Sequence, residues 1–407
     1  MTPSRQPRPL GPARRGSPSD VCRRRGGGRF MPGRWILRGD PASLRIPLRE
    51  DAEFTCGPKA SIQFLEIRTT VVQKLEFLPK LESLRGLAAV SVVGYHAFGQ
   101  FTDTYVTGMA PVVLFFVLSG FVLARSLDRN DNIVAFLRHR LFRLFPAAIA
   151  TVLLLTVLHE GFGFHLGFEP DFSPLNVALN ALMIKHDING PMWSMTVECF
   201  ATPVIILSFL AGRQFGPRSL IPLIVILFGL SFVGPYAHLL GGYANLAPLH
   251  AFVLGVALHF SGRGLVEAIG RRQIMVAAVA CAVFLYCGLQ KQTAPIILLE
   301  ACSSGLLVAL IAFGAPQRGF RFLDQPVISF YGRISYSFYL LHMIGLSIAV
   351  RICTIDGWPM LSIMLSIVLG VLLTTPMAWM SWRFIERPFI AMGKKWRDRR
   401  REVLTTT

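Results

Sequence analysis

Charged residues are scarce in this chain of 407 residues. They make up 16% of the sequence, whereas hydrophobic residues make up 53% and the mean hydropathy is +0.51. A soluble domain of this length carries about 25% charged residues. The shortage excludes an ordinary soluble domain and indicates that lipid is the main solvent of the fold.

Paired cysteines are also missing. The seven cysteines include no C-x-x-C spacing, and four of them lie in apolar segments, where a free cysteine behaves as a small hydrophobic residue. The sequence therefore predicts no zinc site, no redox pair and no metal cofactor. We also expect no cleavable signal peptide, because no short apolar region follows the Arg-rich start.

Positive charge, by contrast, is abundant at both ends. The formal net charge is +18, 16 of the 41 Lys and Arg residues precede residue 81, and eight lie at or after Arg383. Basic ends around an apolar middle predict cytosolic termini held near an anionic leaflet of the bilayer. A nucleic-acid partner is disfavoured, because no aromatic residues are interleaved with the basic ones in a folded module.

The composition divides the chain into three predicted parts. Residues 1–75 are rich in Arg, Pro and Gly and are predicted to be a disordered cytosolic tail, with room for a short amphipathic helix near residues 64–77. Such a segment buries too little apolar area to offset its ordering entropy. Residues 76–390 are the predicted membrane domain, and residues 391–407 a second basic cytosolic tail.

Ten apolar stretches follow residue 81. Each is close to the ~20 residues that an α-helix needs to cross the hydrocarbon core. We predict an all-α integral-membrane fold of about ten transmembrane helices, near residues 84–101, 109–126, 144–159, 196–212, 219–236, 246–262, 273–290, 295–314, 334–352 and 359–382.

The charges of the loops test this assignment. With a cytosolic amino terminus, the cytosolic segments after residue 80 hold 22 Lys and Arg residues, and the opposite side holds only Lys185, Lys291 and Arg351. This positive-inside bias alternates through all ten stretches. It predicts a multi-pass protein of the bacterial inner membrane with both termini cytosolic, and a longest external loop at about residues 160–195.

The first apolar stretch carries two ionisable residues on one face. Arg85 and His96 are eleven residues apart, which is ~1100° of helix, so they share a face with His96 ~16 Å further along. An ionisable residue at that depth usually faces a protein interior or a wet cavity. A hydrogen-bonded packing role for His96, and simple snorkelling for Arg85, are the alternatives.

A dense cationic cluster follows the second stretch, at Arg138, His139, Arg140 and Arg143. Arg140 and Arg143 are three residues apart, hence on one helix face, and their guanidinium groups suit forked contacts with phosphate. The positive-inside rule alone also predicts arginines here.

Polar residues recur on two later helices. Ser194 and Glu198 are four residues apart at the predicted external end of the fourth helix, beside Trp193, an expected interfacial aromatic residue. Glu198 needs a partner such as His, Arg or a hydroxyl-bearing ligand, and a structural buried ion pair is the alternative to a catalytic role.

The ninth helix carries a polar stripe. Ser335, Tyr339 and His342 lie at i, i+4 and i+7, which places them on one face. Hydrogen bonds between helices would explain this stripe without catalysis. Glu386 and Arg387, which precede a proline at the end of the tenth helix, are interpreted as an anchor.

Together these segments resemble the acyltransferase-3 family of integral-membrane O-acyltransferases over about residues 80–390. The matching motifs are R-x10-H, FFVLSGFVLARS at residues 115–126, R-x-x-R, W-S-x-x-x-E, SYSFYLLH at residues 335–342, and E-R-P. One departure is Glu82-Ser83, where many members carry Asp-Gly. Because Glu keeps the charge, we expect a subgroup difference.

The resemblance implies an enzyme that transfers an acyl group, and acetyl above all, from cytosolic acyl-CoA to extracytoplasmic carbohydrate. It implies a catalytic set of His96, Glu198 and Ser194, with Glu198 and Ser194 toward the acceptor side and Glu198 able to orient or stabilise the His96 imidazolium. It also implies that Arg85, Arg140 and Arg143 bind the coenzyme A phosphates. Trp193, Tyr339 and His342 are expected to contact substrate or to support the site. His96 would either take the proton of the hydroxyl or be acylated itself.

Three alternatives stay open at this point. The acceptor is a glycan or a small secondary metabolite, or the protein is a transporter that uses His96, Glu198 and His342 as a proton relay. The transporter is disfavoured because the sequence shows neither inverted repeats nor short broken helices at matching positions in two halves. An inactive scaffold is disfavoured by the retained His and Arg residues. The oligomeric state is not predicted.

Overall fold

The structure is a computed structural model that describes residues 58–102, 108–129, 132–166, 170–232, 246–314 and 318–393. Contacts divide the chain into two units, residues 1–64 and residues 65–407, and of the first only the helical residues 58–64 are described. Within the described ranges the regular structure is helical throughout, which confirms the all-α prediction. The α-helices are α1 (Pro58–Phe101), α2 (Met109–Arg129), α3 (Ile133–Phe162), α4 (Pro174–Ala181), α5 (Trp193–Phe215), α6 (Leu220–Ser231), α7 (Leu249–Ile269), α8 (Gln273–Gly288), α9 (Ala294–Phe313), α10 (Pro326–Cys353) and α11 (Pro359–Ser381).

Each of the ten predicted stretches coincides with a helix, but fewer segments meet the criteria for a span. Seven helical segments in the described ranges are long and apolar enough to cross a membrane. One of them, Leu249–Gly288, holds two predicted spans that a short 3-10 turn at Gly270–Arg272 separates. Helix α6 has 12 residues and is therefore roughly 18 Å long, shorter than a span. The number of crossings and the cytosolic termini stay predictions.

The predicted tails lie mostly outside the described residues, which begin at residue 58 and end at residue 393. The described part of this region, residues 58–75, is helical as the first part of α1, and the disordered tail stays a prediction. The short amphipathic helix expected near residues 64–77 is thus a section of a longer helix.

Local sequence signals explain where several helices begin and end. Asn132 caps α3, since its side-chain oxygen accepts a hydrogen bond of 2.9 Å from the Ala135 amide, and the left-handed Gly163 ends the same helix. Proline in the first turn starts α4, α9, α10 and α11, where its missing N–H costs no helical hydrogen bond.

Glycines bring pairs of helices into close contact. A Cβ on Gly120 of α2 would overlap the Phe252 carbonyl of α7, and one on Gly255 of α7 would overlap the Val117 carbonyl of α2. Small residues permit this approach in helix pairs surrounded by lipid. The contact fixes α2, the helix of the FFVLSGFVLARS motif, against the core.

The same kind of contact orders α1 and α10. Gly86 of α1 lies against the backbone of Gly332 in α10, and ten residues further along both helices the His96 ring lies against the ring of His342. The two helices therefore run parallel. The face of α1 that carries Arg85 and His96 follows the polar stripe of α10.

The connection between α3 and α5 turns back into the bundle. Ile188, Asn189 and Met192 are buried, and the Asn189 side-chain amide donates a hydrogen bond of 2.9 Å to the Leu340 carbonyl, near the middle of α10. Backbone outside a helix is tolerated at that depth when protein surrounds it. Helix α5 thus begins inside the bundle, with Ser194 and Glu198 in its first two turns, and the placement of this helix end on the external side stays a prediction. Spacing along a helix does not reveal the depth at which the helix starts.

Candidate active site

A cavity lies among α1, α2, α3, α5 and α10. Its volume is about 860 Å³, which includes space open to the surroundings. Its apolar lining comes from Phe115, Val122, Leu123, Phe136, Leu144 and Met195. Its polar lining comes from Arg85, Ser119, Ser126, His139, Arg140, Arg143, Glu198, Ser335, Tyr336 and Tyr339. Residues that are more than 250 positions apart in the sequence therefore share one wall.

Arg140 and Glu198 form a buried ion pair in this wall. Arg140 Nη2 lies 3.0 Å from Glu198 Oε1, and Arg140 is 8% exposed. Arg140 also donates through Nε to Thr202 at 2.8 Å, while Ser119 donates to the same Glu198 oxygen at 2.6 Å. Glu198 was expected to need a partner in the bundle, and that partner is Arg140. This contact also satisfies the alternative interpretation, a structural ion pair.

Arg85 and Arg143 contrast with Arg140. Both line the cavity and are half-buried, and within the described part of the chain neither forms a hydrogen bond or an ion pair. The cavity lining thus carries three guanidinium groups and one carboxylate, that of Glu198, while the buried Glu386, outside the lining, interacts electrostatically with Arg143 and Arg85. A cavity with this charge balance favours an anion, and guanidinium groups bind phosphate in a forked geometry.

Tyr339 lines the cavity and is hydrogen-bonded to Ser194. Tyr339 donates from its hydroxyl to the Pro191 carbonyl at 3.1 Å and accepts a hydrogen bond of 2.9 Å from Ser194. Ser194 is buried and is not among the residues that line the cavity. The hydrogen bond between helices that was offered as an explanation for the polar stripe is therefore present, and Ser194 supports Tyr339.

His96 and His342 meet directly beyond Tyr339. Their ring centroids are 5.3 Å apart with an angle of 28° between the ring planes, and the Tyr339 and His342 ring centroids are 5.4 Å apart. His342 is fully buried, whereas His96 is half-buried. The suggestion that Glu198 orients the His96 ring is not what the structure shows, because Glu198 is bonded to Arg140 and the ring beside His96 is that of His342.

Trp193 packs inside the bundle. Its ring meets that of Phe116 edge-on at 6.2 Å, and Phe116 is 1% exposed in the middle of α2. Trp193 thus contacts the core at the buried start of α5, and its place at the membrane interface stays a prediction.

Three polar residues of this region were not singled out from the sequence. Ser119 and Thr202 fix the Arg140–Glu198 pair, and Asn189 holds the re-entering segment against α10. Ser119 lies within the FFVLSGFVLARS motif, so its motif position was the available signal. Thr202 continues the i, i+4 spacing of Ser194 and Glu198 on one face of α5, so that spacing was the available signal. Asn189 belongs to no periodic polar pattern, so no sequence signal marked it.

A second polar cluster lies outside the cavity, in the α3–α5 connection. Asn180 and Asn176 donate to the two oxygens of Asp187 at 2.7 and 2.8 Å, and Lys185 donates to the side-chain oxygen Oδ1 of Asn176 at 3.0 Å. Burial opposes ionisation of Asp187, but the two amide hydrogen bonds outweigh it and hold the pKa of this carboxyl below its usual value. Every member of this cluster has a partner.

Within the described residues, no group of three or more His, Cys, Asp or Glu side chains is arranged to hold a metal ion.

Glu386, interpreted from the sequence as part of an anchor, is buried and accepts a hydrogen bond of 2.9 Å from Ser337 of α10.

Known proteins resemble this chain over the part that contains the cavity. The sequence profile of the acyltransferase-3 family, described as an acyltransferase domain, matches residues 78–383. The chain is 27% identical to the acyltransferase MdmB of Streptomyces mycarofaciens over 65% of this chain and 78% of that protein. It is 23% identical to the O-acetyltransferase OatA of Staphylococcus aureus strain NCTC 8325 over 78% of this chain, but it spans only 58% of that protein's length. No solved structure is significantly similar.

Proposed function

This chain belongs to the acyltransferase-3 family, and we propose that it transfers an acetyl group from cytosolic acetyl-CoA to a hydroxyl of an exported or cell-surface glycan. In this proposal it lies in a bacterial inner membrane with both termini cytosolic. The observation that carries the proposal is the juxtaposition of an arginine-lined cavity with the His96–His342 pair, because the Tyr339 ring lines the cavity and lies 5.4 Å from the ring of His342.

The cavity fits an acyl-CoA as donor substrate. Arg85 and Arg143 are cations without an ion-pair partner in the described residues, and they bind the phosphates, while the apolar lining receives the pantetheine arm and the acyl group. Arg140 differs from its neighbours because Glu198 already neutralises it. Arg140 shapes the wall, and its N–H groups that do not bond to Glu198 or Thr202 remain as donors for the substrate.

His96 is the group that handles the proton. It takes the proton of the acceptor hydroxyl while the hydroxyl oxygen forms a bond with the thioester carbonyl carbon. The carbon–sulfur bond breaks, and His96 returns the proton to the departing thiolate. The products are an ester and free coenzyme A, and no proton is gained or lost overall.

Acetyl is the proposed acyl group because acetyl transfer is what the name of the staphylococcal relative states for that protein. The glycan acceptor rests on the family resemblance. A small metabolite is the other acceptor class within the same chemistry.

The test is His96→Ala in a strain that lacks the chromosomal copy. We expect normal accumulation in the membrane, since Ala suits lipid better than His, together with loss of one acetyl mass from the exported glycans by mass spectrometry. Purified wild-type protein should release free coenzyme A from acetyl-CoA only with the correct acceptor.

Cys287→Ser is a suitable control, because Cys287 is buried and lies outside the cavity lining. Normal acetylation by well-expressed His96→Ala would overturn the assignment of His96. Unchanged glycans in the deletion strain, with an altered small metabolite instead, would replace the acceptor.

A further inference from the structure

The ring that lies against His96 has a fixed tautomer. His342 Nδ1 is within hydrogen-bond distance of the Tyr339 carbonyl oxygen. A carbonyl oxygen only accepts, so Nδ1 carries the hydrogen and Nε2 carries the lone pair. This Nε2 is fully buried and has no hydrogen-bond partner among the described residues. His342 thus presents a single unused acceptor.

An unused Nε2 alone does not indicate a function, because His250 of α7 has the same features. His250 is fully buried, its Nδ1 lies 3.1 Å from the Ala247 carbonyl oxygen, and its Nε2 also lacks a partner. The difference is the neighbouring ring. The aromatic neighbour of His250 is Phe228, at 5.8 Å, which offers no N–H, whereas that of His342 is His96.

His96 lacks what His342 has. Within the described residues, no hydrogen bond to a ring nitrogen of His96 fixes which nitrogen carries the hydrogen. A histidine that acts as a base usually has its second nitrogen held by a hydrogen-bonding partner, which orients the ring and selects the tautomer. Among the described residues, the one titratable side chain in ring contact with His96 is His342.

We propose that His342 is a positioning residue for His96, and that its Nε2 accepts a hydrogen bond from a ring N–H of His96 during the reaction. This inference rests on the proposed function of His96. The other ring nitrogen of His96 then carries the lone pair that takes the proton of the acceptor hydroxyl. His342 stays neutral throughout, because a second charge on a contacting ring would be repelled.

The proposed contact requires a rotation of the His96 ring. The two ring centroids are 5.3 Å apart, and rotation about χ2 that turns a ring N–H of His96 toward Nε2 of His342 forms the hydrogen bond. Catalytic hydrogen bonds commonly reach their working length only when the substrate binds. His342 lies behind His96, since His342 is fully buried and His96 is half-buried.

Two substitutions separate the acceptor role from simple ring packing. His342→Gln places an amide oxygen near the position of Nε2 but removes the ring, whereas His342→Phe keeps a flat ring and removes both nitrogens. If His342 acts as an acceptor, the Gln variant keeps kcat within about tenfold, and the Phe variant loses about 100-fold or more, the usual contribution of an oriented general base.

The KM for acetyl-CoA should be unchanged in both variants, because His342 does not line the cavity. His250→Gln and His250→Phe are the matched controls and should keep wild-type kcat. If the Phe variant does not accumulate, His342→Asn replaces it, since its shorter amide cannot reach the Nε2 position and kcat should fall as for Phe.

The outcomes separate this inference from the proposed function. An inactive His96→Ala with an active His342→Phe and an impaired His342→Gln would show that His342 only packs, and the inference would fail alone. An active His96→Ala would remove the proposed function and this inference together.

Discussion

The cavity and the α3–α5 connection are both rich in polar residues, yet they differ in how these residues are satisfied. In the connection, the polar side chains are hydrogen-bonded to one another, and one positive charge balances one negative charge. These residues are Asn176, Asn180, Lys185 and Asp187. In the cavity, one carboxylate faces three guanidinium groups. Buried polar groups are normally paired, so the surplus, rather than the polarity, distinguishes a candidate ligand site from a structural network.

The same distinction divides the R-x-x-R motif. Arg140 is bonded to Glu198 and Thr202, whereas Arg143, one helical turn later, has no ion pair within the described residues. Substitutions of these two arginines, which look equivalent in the sequence, are therefore expected to have different effects. Substitutions in both regions test this comparison.

The largest effect on stability is expected from Glu198→Ala. It leaves Arg140 buried with an uncompensated charge, which costs about 3–5 kcal/mol of unfolding free energy. Thermal or denaturant unfolding in detergent measures this loss. The double variant Glu198→Leu with Arg140→Met removes both charges and should recover most of the stability. An unchanged unfolding midpoint for Glu198→Ala would show that the pair is not a structural part of the wall.

A smaller effect, on binding alone, is expected from Arg143→Lys. Lysine keeps the positive charge but loses the planar fork, so one charge-assisted contact of about 1.5–3 kcal/mol is weakened and the Kd for acetyl-CoA rises about ten- to a hundredfold. Stability should not change, because Arg143 has no ion pair to lose among the described residues.

Arg138→Lys is the matched control for this titration, because Arg138 belongs to the same cationic cluster but does not line the cavity. Arg140→Lys should instead lower stability, since it loses the Thr202 contact. Equal Kd values for wild type and Arg143→Lys would mean that the cluster serves topology only.

In the connection, Asn180→Ala should destabilise locally. Asn180 is fully buried, donates to Asp187 and Asn176, and accepts from the Ile188 amide at 3.2 Å. Its loss leaves these groups without partners, which costs about 1–3 kcal/mol. Hydrogen exchange of residues 183–189 should accelerate while the Kd for acetyl-CoA stays constant. A changed Kd would couple the two regions, against the comparison.

The smallest effect is a pH dependence of the connection. The amide hydrogen bonds lower the pKa of Asp187, so the stabilisation is present above the usual aspartate pKa and is lost as the pH falls through the lowered value. Hydrogen-exchange protection of residues 183–189, corrected for the intrinsic rate, should therefore decrease at acidic pH. Asp187→Asn removes the ionisable group, and a pH dependence that persists in this variant would exclude Asp187 as its source.

Much of the fold follows from local sequence. The ten apolar stretches all coincide with helices, and the spacing of Ser335, Tyr339 and His342 places them on one buried stripe. Those features depend on helical periodicity and on the absence of water in the bilayer, which act over one or a few turns. The sequence also predicted, through Arg85, Arg140, Arg143 and Glu198, four residues that share the cavity wall.

The partners within the site follow from the tertiary structure. Glu198 was open to His, Arg or a hydroxyl as partner, and only the packing of α3 against α5 selects Arg140. The burial of the start of α5 did not follow from the sequence, because a buried Asn189 and a short 3-10 turn admit the chain to the interior without any periodic signal.

The sequence by itself determined an all-helical membrane fold, the identity of the charged residues and the helix faces on which they lie. Only the tertiary structure decided that Arg140 is paired while Arg143 is not, and that His96 faces His342. The physical reason is range. Helix formation and insertion depend on neighbouring residues, whereas pairing of buried charges depends on contacts between helices that are far apart in the chain.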